Sequence, residues 1–369
     1  MPKSMDIVVT TCNDSEFLRE ALLSIIYGAQ GAGLLRRIVV VDDASRADAA
    51  AQVTAVVDEM KPLHQDIVVL RNSANCGLSH SRNRGIRLCT SEYVSFLDAD
   101  DLKPAGWGAI VQDILTAQEP EYLFTCSALI DDRYTFAPFY DHETADKLFQ
   151  GETIREFTGH RRFLPLMLEP QIGNKYFKLA TINAYLFPIG RKFEDLYLVA
   201  RMTLNLDRVV GANVVTHLYN TTERAGRVTM TPRLKADIIG NVAGIYAIFA
   251  YHFDTVHEAI EAKAKDAGAR ASEAAGRELK ILQIERQFAY AALKFAFIRM
   301  LDWSVNTIAI GDMERFVGRV GQVFRALPPQ PSVAQMLNDL ANPRTLEWYD
   351  KVAELFTNAD TTYLCQVYA

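Results

Sequence analysis

The sequence predicts an α/β protein whose first part folds into a doubly wound, mostly parallel sheet and whose last part is α-helical. Two patterns indicate this fold. Through the first half of the chain, short β-branched runs alternate with amphipathic helical segments in a βαβαβαβ order, which favours a parallel sheet. From about residue 231, the strand patterns stop and apolar residues recur at helical spacing. We therefore expect two domains, residues 1–230 and 231–369.

The elements of the first domain are each predicted from their own residue pattern. Strands are short runs of β-branched, aliphatic and aromatic residues, and helices carry apolar residues three or four positions apart. The predicted strands are Asp6–Thr10, Arg37–Val41, Asp66–Leu70, Tyr93–Leu97 and Tyr122–Ile130. The predicted helices are Glu16–Tyr27, Asp48–Met60, Ser79–Cys89 and Trp107–Leu115. Ligands bind such sheets beyond the carboxyl ends of the strands, so polar residues that follow a strand are the candidates for function.

The second domain is predicted from two segments with helical apolar spacing, Ile238–Phe253 and Ile281–Met300. Between them, the stretch Glu258–Glu278 is rich in Ala, Glu, Lys and Arg, which is typical of a solvated helix, and it is broken near Gly268. We expect this domain to shape an acceptor site, to support a homo-oligomer, or to dock on other proteins or the membrane.

The composition is that of a soluble globular protein, since 49% of the 369 residues are hydrophobic and 23% are charged. The net charge of -6 gives no support for nucleic-acid binding. Five cysteines without a CxxC motif indicate reduced thiols, and the N-terminus lacks a signal-peptide pattern. The longest apolar stretch, around Val242–Phe253, is shorter than the roughly 20 residues of a membrane span. We expect a cytoplasmic protein, with peripheral contact at the inner membrane face left open.

The stretch EYVSFLDADD, residues 92–101, is the most informative in the chain. A strand-type run ends in three carboxylates, Asp98, Asp100 and Asp101. Their charges repel one another and resist desolvation, so three carboxylates this close together at the end of a buried strand require an explanation. One reason is an oxygen-liganded Mg²⁺ or Mn²⁺ that bridges to a phosphate. The alternative is a turn with capping aspartates.

Two further motifs follow predicted strands. In VVVDDAS, either Asp42 or Asp43 can accept the N–H of a base such as uracil, or merely cap the next turn. In NSANCGLSHSRNRGI, Gly77 permits an unusual backbone turn, and Arg82 and Arg84 lie near a helix start that favours anions. This second motif suggests a diphosphate clamp, with a solvated helix face as the alternative.

Two motifs in the later part of the first domain are weaker. In FPIGRKFEDLYLVARM, Asp195 is a candidate general base, although Glu194 and Asp195 would also complement a helix N-terminus. In VVTHLYNTTERAGRVTM, His217 is a candidate third metal ligand or an ordinary strand histidine. Arg224 and Arg227 would reach a diphosphate or lie in a solvated loop.

Taken in order, these motifs resemble those of a family 2 glycosyltransferase with a GT-A fold, the nucleotide-diphospho-sugar transferase type. The resemblance covers roughly residues 5–230. It implies an inverting transfer from a nucleotide sugar, usually a UDP-sugar, with Mn²⁺ or Mg²⁺. The acceptor would be a carbohydrate, a lipid-linked sugar or a protein.

The resemblance also implies roles for single residues. Asp195 would be the base that deprotonates the acceptor hydroxyl. The implied nucleotide-binding residues are Thr10, Thr11, Asp42, Asp43, Asn75, Gly77, Arg82 and Asp98. The implied metal ligands are Asp98 and Asp100 of the DxD motif, with Asp101 assisting; His217 stays a candidate ligand from its residue type alone.

Two other classes remain open. A nucleotidyltransferase would place a phosphate loop with Gly and Lys after the first strand, but the segment TTCNDSE contains neither residue. The same segment lacks the GxGxxG motif of a dinucleotide oxidoreductase, which argues against that class as well. A non-catalytic scaffold would bind a nucleotide without turnover. The acids Asp98, Asp100 and Asp195 speak against a scaffold.

Overall fold

A computed structural model describes most of the chain up to residue 265 and a smaller share of the residues after it. The described residues are 2–131, 136–138, 148–167, 171–190, 194–221, 232–265, 273–283, 285–286 and 289. The chain forms two compact units, Met1–Thr158 with Pro170–Glu223, and Gly159–Glu169 with Arg224–Ala369. The domain boundary at residue 230 stays a prediction, because residues 222–231 lie outside the described part.

In the described residues, nine strands form one sheet, and helices connect many of them. The strands are β1 (Met5–Thr11), β2 (Leu35–Asp42), β3 (Ile67–Arg71), β4 (Tyr93–Asp98), β5 (Tyr122–Ile130), β6 (Phe136–Pro138), β7 (Ile154–Thr158), β8 (Lys175–Lys178) and β9 (Arg208–Asn220). The helices of this unit are α1 (Ser15–Gly28), α2 (Ala47–Met60), α3 (Leu78–Ile86), α4 (Trp107–Gln118), α5 (Leu179–Tyr185) and α6 (Glu194–Asn205). Short 3₁₀ helices span Gly159–Met167 and Ile172–Asn174.

The strand order is β3-β2-β1-β4-β8-β5-β9-β7, with β6 paired to β5. Strands β1 to β4 are mutually parallel, and β9 is parallel to β5. The short strand β8 runs antiparallel between β4 and β5. The predicted α/β fold is thus confirmed: the sheet is parallel through its first four strands and mixed beyond them. The carboxyl ends of β1, β2 and β4 meet at one edge.

The core of this unit lies on both faces of the parallel strands. On one face, Ile7 and Val9 of β1 pack with apolar residues of α1, α2 and α4. On the other face, Val8 lies so close to Gly85 of α3 that a Cβ there would come within 2.4 Å of Val8 Cγ1. Alternate residues of a buried parallel strand point to opposite faces, which explains the continuous apolar runs in the sequence.

Helix α3 ends at Ile86, three residues before the predicted end at Cys89. The buried carboxylate of Asp6 on β1 accepts the backbone N–H groups of Thr90 and Ser91, at 2.6 and 3.0 Å. These bonds draw the chain away from helical geometry, because an N–H held by Asp6 cannot bond to a carbonyl four residues earlier. A contact between residues 84 positions apart is not visible in a local residue pattern.

The second unit contains α7 (Pro232–Lys265) and a helical stretch at residues 273–283. The predicted helix Ile238–Phe253 lies inside α7 and is confirmed, whereas Ile281–Met300 falls mostly outside the described residues. The ring of Phe163 packs near those of Phe249 and Phe253, with centroids 5.9 and 6.2 Å apart. None of the helices described in the structure has both the length and the apolarity needed to cross a membrane.

Candidate nucleotide and catalytic site

The ends of β1, β2 and β4 bring four predicted site residues together. Their registers place Thr10 beside Asp98 and Thr11 beside Asp42. The hydroxyl of Thr10 donates to Asp98 Oδ1 at 2.8 Å. The buried hydroxyl of Thr11 has no hydrogen-bond partner among the described residues. Since an unpaired buried hydroxyl is costly, this group is available to a ligand at the sheet edge.

Asp43 fixes the loop that leads into α3. Its carboxylate accepts the side-chain amide of Asn72 at 2.6 Å and the backbone N–H groups of Cys76 and Gly77, at 2.9 and 2.7 Å. Gly77 has φ 82° and ψ 167°, a backbone region that is essentially restricted to glycine. The unusual turn predicted at Gly77 is therefore confirmed. The exposed Asn75 of this loop donates to Cys12 Sγ at 3.2 Å, which links the loop to the turn after β1.

Asp42 is nearly fully buried and caps the turn after β2, which is the alternative to base binding given by the sequence. Its Oδ1 accepts the backbone N–H of Ser45 at 2.9 Å, and Arg71 Nε lies 3.7 Å from Oδ2. Within this turn, Ala44 has φ 58°, in the left-handed region. The nucleotide-binding role of Asp42 and Asp43 stays a prediction.

Replacement of Ala44 by glycine is expected to raise the free energy of unfolding by about 0.5–1 kcal/mol. A side chain with a Cβ is strained at this φ, and the relief exceeds the extra entropy that glycine brings to the unfolded chain. Chemical denaturation of both proteins measures the change. As the control, Ala51→Gly on the exposed face of helix α2 should lower stability by about 1 kcal/mol. Equal losses in both variants would contradict the strain at Ala44.

Arg82 links the acidic turn at the end of β4, residues 98–102, to the start of α6. Its Nη2 donates to both carboxylate oxygens of Asp98, at 2.8 and 3.1 Å, and its Nη1 bonds to Glu194 Oε1. The guanidinium lies 5.4 Å from the ring centre of Phe187, and the backbone of Phe187 is held at both its N–H and its carbonyl by Asn83. Two neighbouring residues of α3 therefore hold the segment that leads to the ED motif, which is formed by Glu194 and Asp195.

The arginines predicted as a diphosphate clamp both make contacts within the protein. Arg82 is nearly fully buried, and its Nε has no partner among the described residues. Arg84 is half-buried and bonds to the side chain of Asn72 and to the carbonyl of Arg71. The nucleotide role of Arg82 stays a prediction, and Arg224 and Arg227 lie outside the described residues.

The pKa of Asp98 lies below its usual value of 3.8. Burial alone would raise this pKa, but the charge of Arg82 and the hydrogen bonds from Arg82 and Thr10 outweigh it. The side chain is still 33% exposed. Asp98 is thus an ionised carboxylate that is held in place on one side and open to solvent on the other.

Asp101 and His217 are buried and bond to each other, with His217 Nε2 2.9 Å from Asp101 Oδ2. The other ring nitrogen, Nδ1, lies 2.9 Å from Ser127 Oγ. Burial lowers the pKa of His217 to about 3, and the nearby charge of Lys103 acts in the same direction. The imidazole is therefore neutral at pH 7. Its role as a metal ligand stays a prediction.

Within the acidic turn, Asp98 and Asp100 remain partly exposed, whereas Asp101 is buried. In the described part of the chain, no group of three or more His, Cys, Asp or Glu side chains is arranged to hold a metal by itself. A Mg²⁺ ion that binds through one or two carboxylates together with substrate phosphates needs no such group. The donor set therefore fits a hard divalent cation that is shared with a diphosphate.

Asp195 is the second residue of helix α6, directly after Glu194, and is half-buried. Its Oδ1 accepts the backbone N–H of Leu196 at 2.8 Å. Burial and the negative charge of Glu194 raise the pKa of Asp195 to about 7, although Arg82 acts against this shift. A carboxylate with a pKa near neutrality is suited to accept a proton from a hydroxyl group.

Sequence reasoning missed several residues that support the site. Lys103 is buried, donates to the carbonyl of Gly173 and lies 3.2 Å from Tyr176 Oη. Burial lowers the pKa of Lys103 to about 7. Ser127 and Asn83 were missed as well, because their partners His217 and Phe187 are about a hundred positions away. No local signal in the sequence marks these pairs.

The edge of the parallel sheet carries an acidic turn, a glycine-dependent loop and a buried arginine between two carboxylate motifs, as the resemblance to a GT-A fold predicts. Residues 6–163 match the family model described as Glycosyl transferase family 2. This first part of the chain is therefore a glycosyltransferase family 2 domain.

Curated relatives support this assignment. Glycosyltransferase GlyA of Streptococcus pneumoniae serotype 4 is 27% identical over 222 residues, which is 58% of this chain and 30% of that protein. The pre-mycofactocin glycosyltransferase of Mycobacterium tuberculosis is 32% identical over 105 residues, 28% of this chain and 19% of that protein. The chain therefore spans less than a third of the length of these relatives.

Solved structures with a similar fold include S. aureus TarS residues 1–349 in complex with UDP-GlcNAc. That structure has a TM-score of 0.64 and 15% identity, and the match covers 99% of this chain and 90% of TarS 1–349. A longer TarS structure gives a TM-score of 0.63 at 14% identity, with 55% of that chain covered. At this identity the likeness shows the fold alone, and it confirms the GT-A prediction.

Proposed function

We propose that this protein is a metal-dependent, inverting glycosyltransferase that moves a sugar from a UDP-sugar to an acceptor hydroxyl, with Asp195 as the base. One observation carries the proposal: Arg82 bonds at once to Asp98 of the acidic turn and to Glu194 of the ED motif. Asp98, the carboxylate proposed to act on the leaving diphosphate, and Glu194, the neighbour of the proposed base, are thereby held on either side of one guanidinium. Such fixed positioning is a large part of transfer catalysis.

The nucleotide is proposed to lie over the ends of β1, β2 and β4. This edge is lined by the Thr11 hydroxyl, which has no partner in the described part of the chain, by the turn at Asp42 and Asp43, and by the loop at Asn75 and Gly77. Because two of the similar TarS structures are complexes, one with UDP-GlcNAc and one with UDP, uridine nucleotides are the first donors to test. A Mn²⁺ or Mg²⁺ ion on Asp98 and Asp100, when bound, would neutralise the charge that develops on the diphosphate.

Asp195 is proposed to take the proton of the acceptor hydroxyl. The acceptor oxygen then forms a bond to the anomeric carbon as the bond from that carbon to the diphosphate oxygen breaks, and UDP leaves. Attack from the side opposite the diphosphate inverts the anomeric configuration. The raised pKa of Asp195 makes it a stronger base than an ordinary aspartate.

The acceptor is proposed to be a carbohydrate, a lipid-linked sugar or a protein, and the reaction to take place in the cytoplasm, where a peripheral membrane contact would suit a lipid-linked acceptor. The second unit is proposed to contribute to acceptor binding, homo-oligomer formation or docking. A nucleotide-binding scaffold without turnover is the alternative outcome.

Calorimetric titration with UDP and a panel of UDP-sugars tests the donor and the metal together. Binding to the wild-type protein should require Mn²⁺ or Mg²⁺, and Asp100→Ala should weaken it by about 10- to 100-fold, since one oxygen ligand of the ion is lost. Asp66→Ala, at a carboxylate that pairs with Arg37 away from the site, is the matched control. Equal binding with and without the ion would remove the metal from the proposal.

A further inference from the structure

The acidic turn is attached to strand β9 by four hydrogen bonds. Leu102 and Leu218 exchange two backbone hydrogen bonds, at 3.0 and 2.8 Å. The backbone N–H of Asn220 donates to Asp101 Oδ1 at 3.0 Å, and His217 Nε2 lies 2.9 Å from Asp101 Oδ2. Both oxygens of Asp101 therefore point to β9, only one residue along the chain from Asp100.

His217 is itself fixed from several directions. Ser127 on the neighbouring strand β5 reaches Nδ1 at 2.9 Å. The ring also lies against Gly173, where a Cβ atom would come within 2.3 Å of His217 Cδ2. The spacing Ser–His–Asp resembles that of a hydrolase triad, but Ser127, His217 and Asp101 are 2%, 1% and 4% exposed, so no substrate reaches the hydroxyl. The arrangement is structural.

The hydrogen-bonding pattern assigns the tautomer of His217. The carboxylate of Asp101 only accepts, so the proton of the neutral ring is on Nε2, and Nδ1 accepts from the Ser127 hydroxyl. If residue 101 carried an amide, its N–H₂ could donate to Nε2 of the other tautomer, and Nδ1–H could donate to Ser127 Oγ. The hydrogen bond between residue 101 and His217 can therefore survive an Asp101→Asn change. A carboxylate that binds a metal ion, in contrast, loses its charge when it is replaced by an amide.

We infer that Asp101 and His217 are positioning residues, which hold the turn of Asp98 and Asp100 against strand β9, and are not ligands of the metal. This inference rests on the proposed function, because it assigns the ion to Asp98 and Asp100 alone. It also makes β9 a support of the donor site.

The test compares Asp and Asn at two neighbouring positions, with metal affinity and thermal unfolding measured separately. Calorimetry with Mn²⁺ in the presence of UDP should show Asp101→Asn within roughly threefold of the wild type, since its hydrogen bonds are retained. Asp101→Ala should weaken Mn²⁺ binding by about 10- to 100-fold, as loss of a supporting contact does. Asp100→Asn, the matched control, should weaken it as strongly as Asp100→Ala.

Thermal unfolding supplies a readout that does not depend on metal or nucleotide. Asp101→Ala should lower the Tm of the metal-free protein, Asp101→Asn should recover most of that loss, and Asp100→Asn should leave the Tm close to that of the wild type. An Asp101→Asn protein that folds with wild-type stability but loses Mn²⁺ affinity as fully as Asp100→Asn would overturn the inference. If the wild type binds no Mn²⁺ with UDP, the proposed function fails, and the Tm order still tests the attachment to β9.

Discussion

Replacement of Asp195 by asparagine is expected to slow sugar transfer by about 100- to 10,000-fold, which is the usual contribution of a general base. Asparagine cannot accept the acceptor proton, but it has nearly the same shape and leaves Arg82 paired with Glu194 and Asp98. UDP binding should therefore be retained. The measurement is the rate of UDP release from the best donor, with Asp207→Asn as a control at an exposed carboxylate of the same unit.

The pH dependence of the wild-type rate is set by the same residue. Asp195 acts as a base only when it is deprotonated, and its pKa is raised to about 7. The rate should therefore increase with pH up to about 7 and level off above it. Asp195→Asn should lose this dependence. A variant that keeps more than a tenth of the wild-type rate, or the same rise with pH, would show that another group is the base.

Replacement of Arg82 by leucine is expected to have the largest effect on stability. It leaves the buried Glu194 and the partly buried Asp98 without their shared cation, and the loss of one partner from a buried ion pair costs about 3–5 kcal/mol. Because Asp98 is one-third exposed, we expect about 3 kcal/mol. Donor binding should also weaken, since Asp98 is no longer held beside Asp100. Urea denaturation and UDP titration measure the two effects.

Two further variants separate charge from geometry at Arg82. Arg82→Lys keeps the charge, but one ammonium group does not reproduce the fork that bonds to two carboxylates, so donor binding should stay weakened. Combining Arg82→Leu with Glu194→Gln should restore part of the lost stability, because the most buried unpaired charge is removed. Wild-type stability in Arg82→Leu alone would rule out the link between the two motifs.

The regular elements could be predicted from the sequence because their signals are local. Strand Tyr122–Ile130 was predicted with the bounds that the structure has, and the other predicted strands and helices of the sheet differ mainly at their ends. Strand β8, Lys175–Lys178, was missed. Its four residues, KYFK, have too few apolar positions for a pattern, and it forms because β4 and β5 present free edges on both sides.

The candidate site was predictable in its residue types but not in its contacts. The concentration of Asp98, Asp100 and Asp101 after a strand marked the functional edge, since carboxylates resist burial. The bonds of Arg82 to Asp98 and Glu194 could not be predicted, because nothing in the sequence shows that Glu194, 112 positions away, faces α3. The pairing of Asp101 with His217 was hidden for the same reason.

The central claim is that this protein turns over a UDP-sugar and does not merely bind one. The most direct measurement is the time course of UDP release from UDP-GlcNAc and other UDP-sugars by the wild-type protein with Mn²⁺, beside Asp195→Asn. We predict that the wild type releases several equivalents of UDP per protein from at least one donor, and that Asp195→Asn binds that donor but releases far less. Tight binding of a UDP-sugar with no release above the Asp195→Asn protein would contradict the claim and leave a nucleotide-binding scaffold.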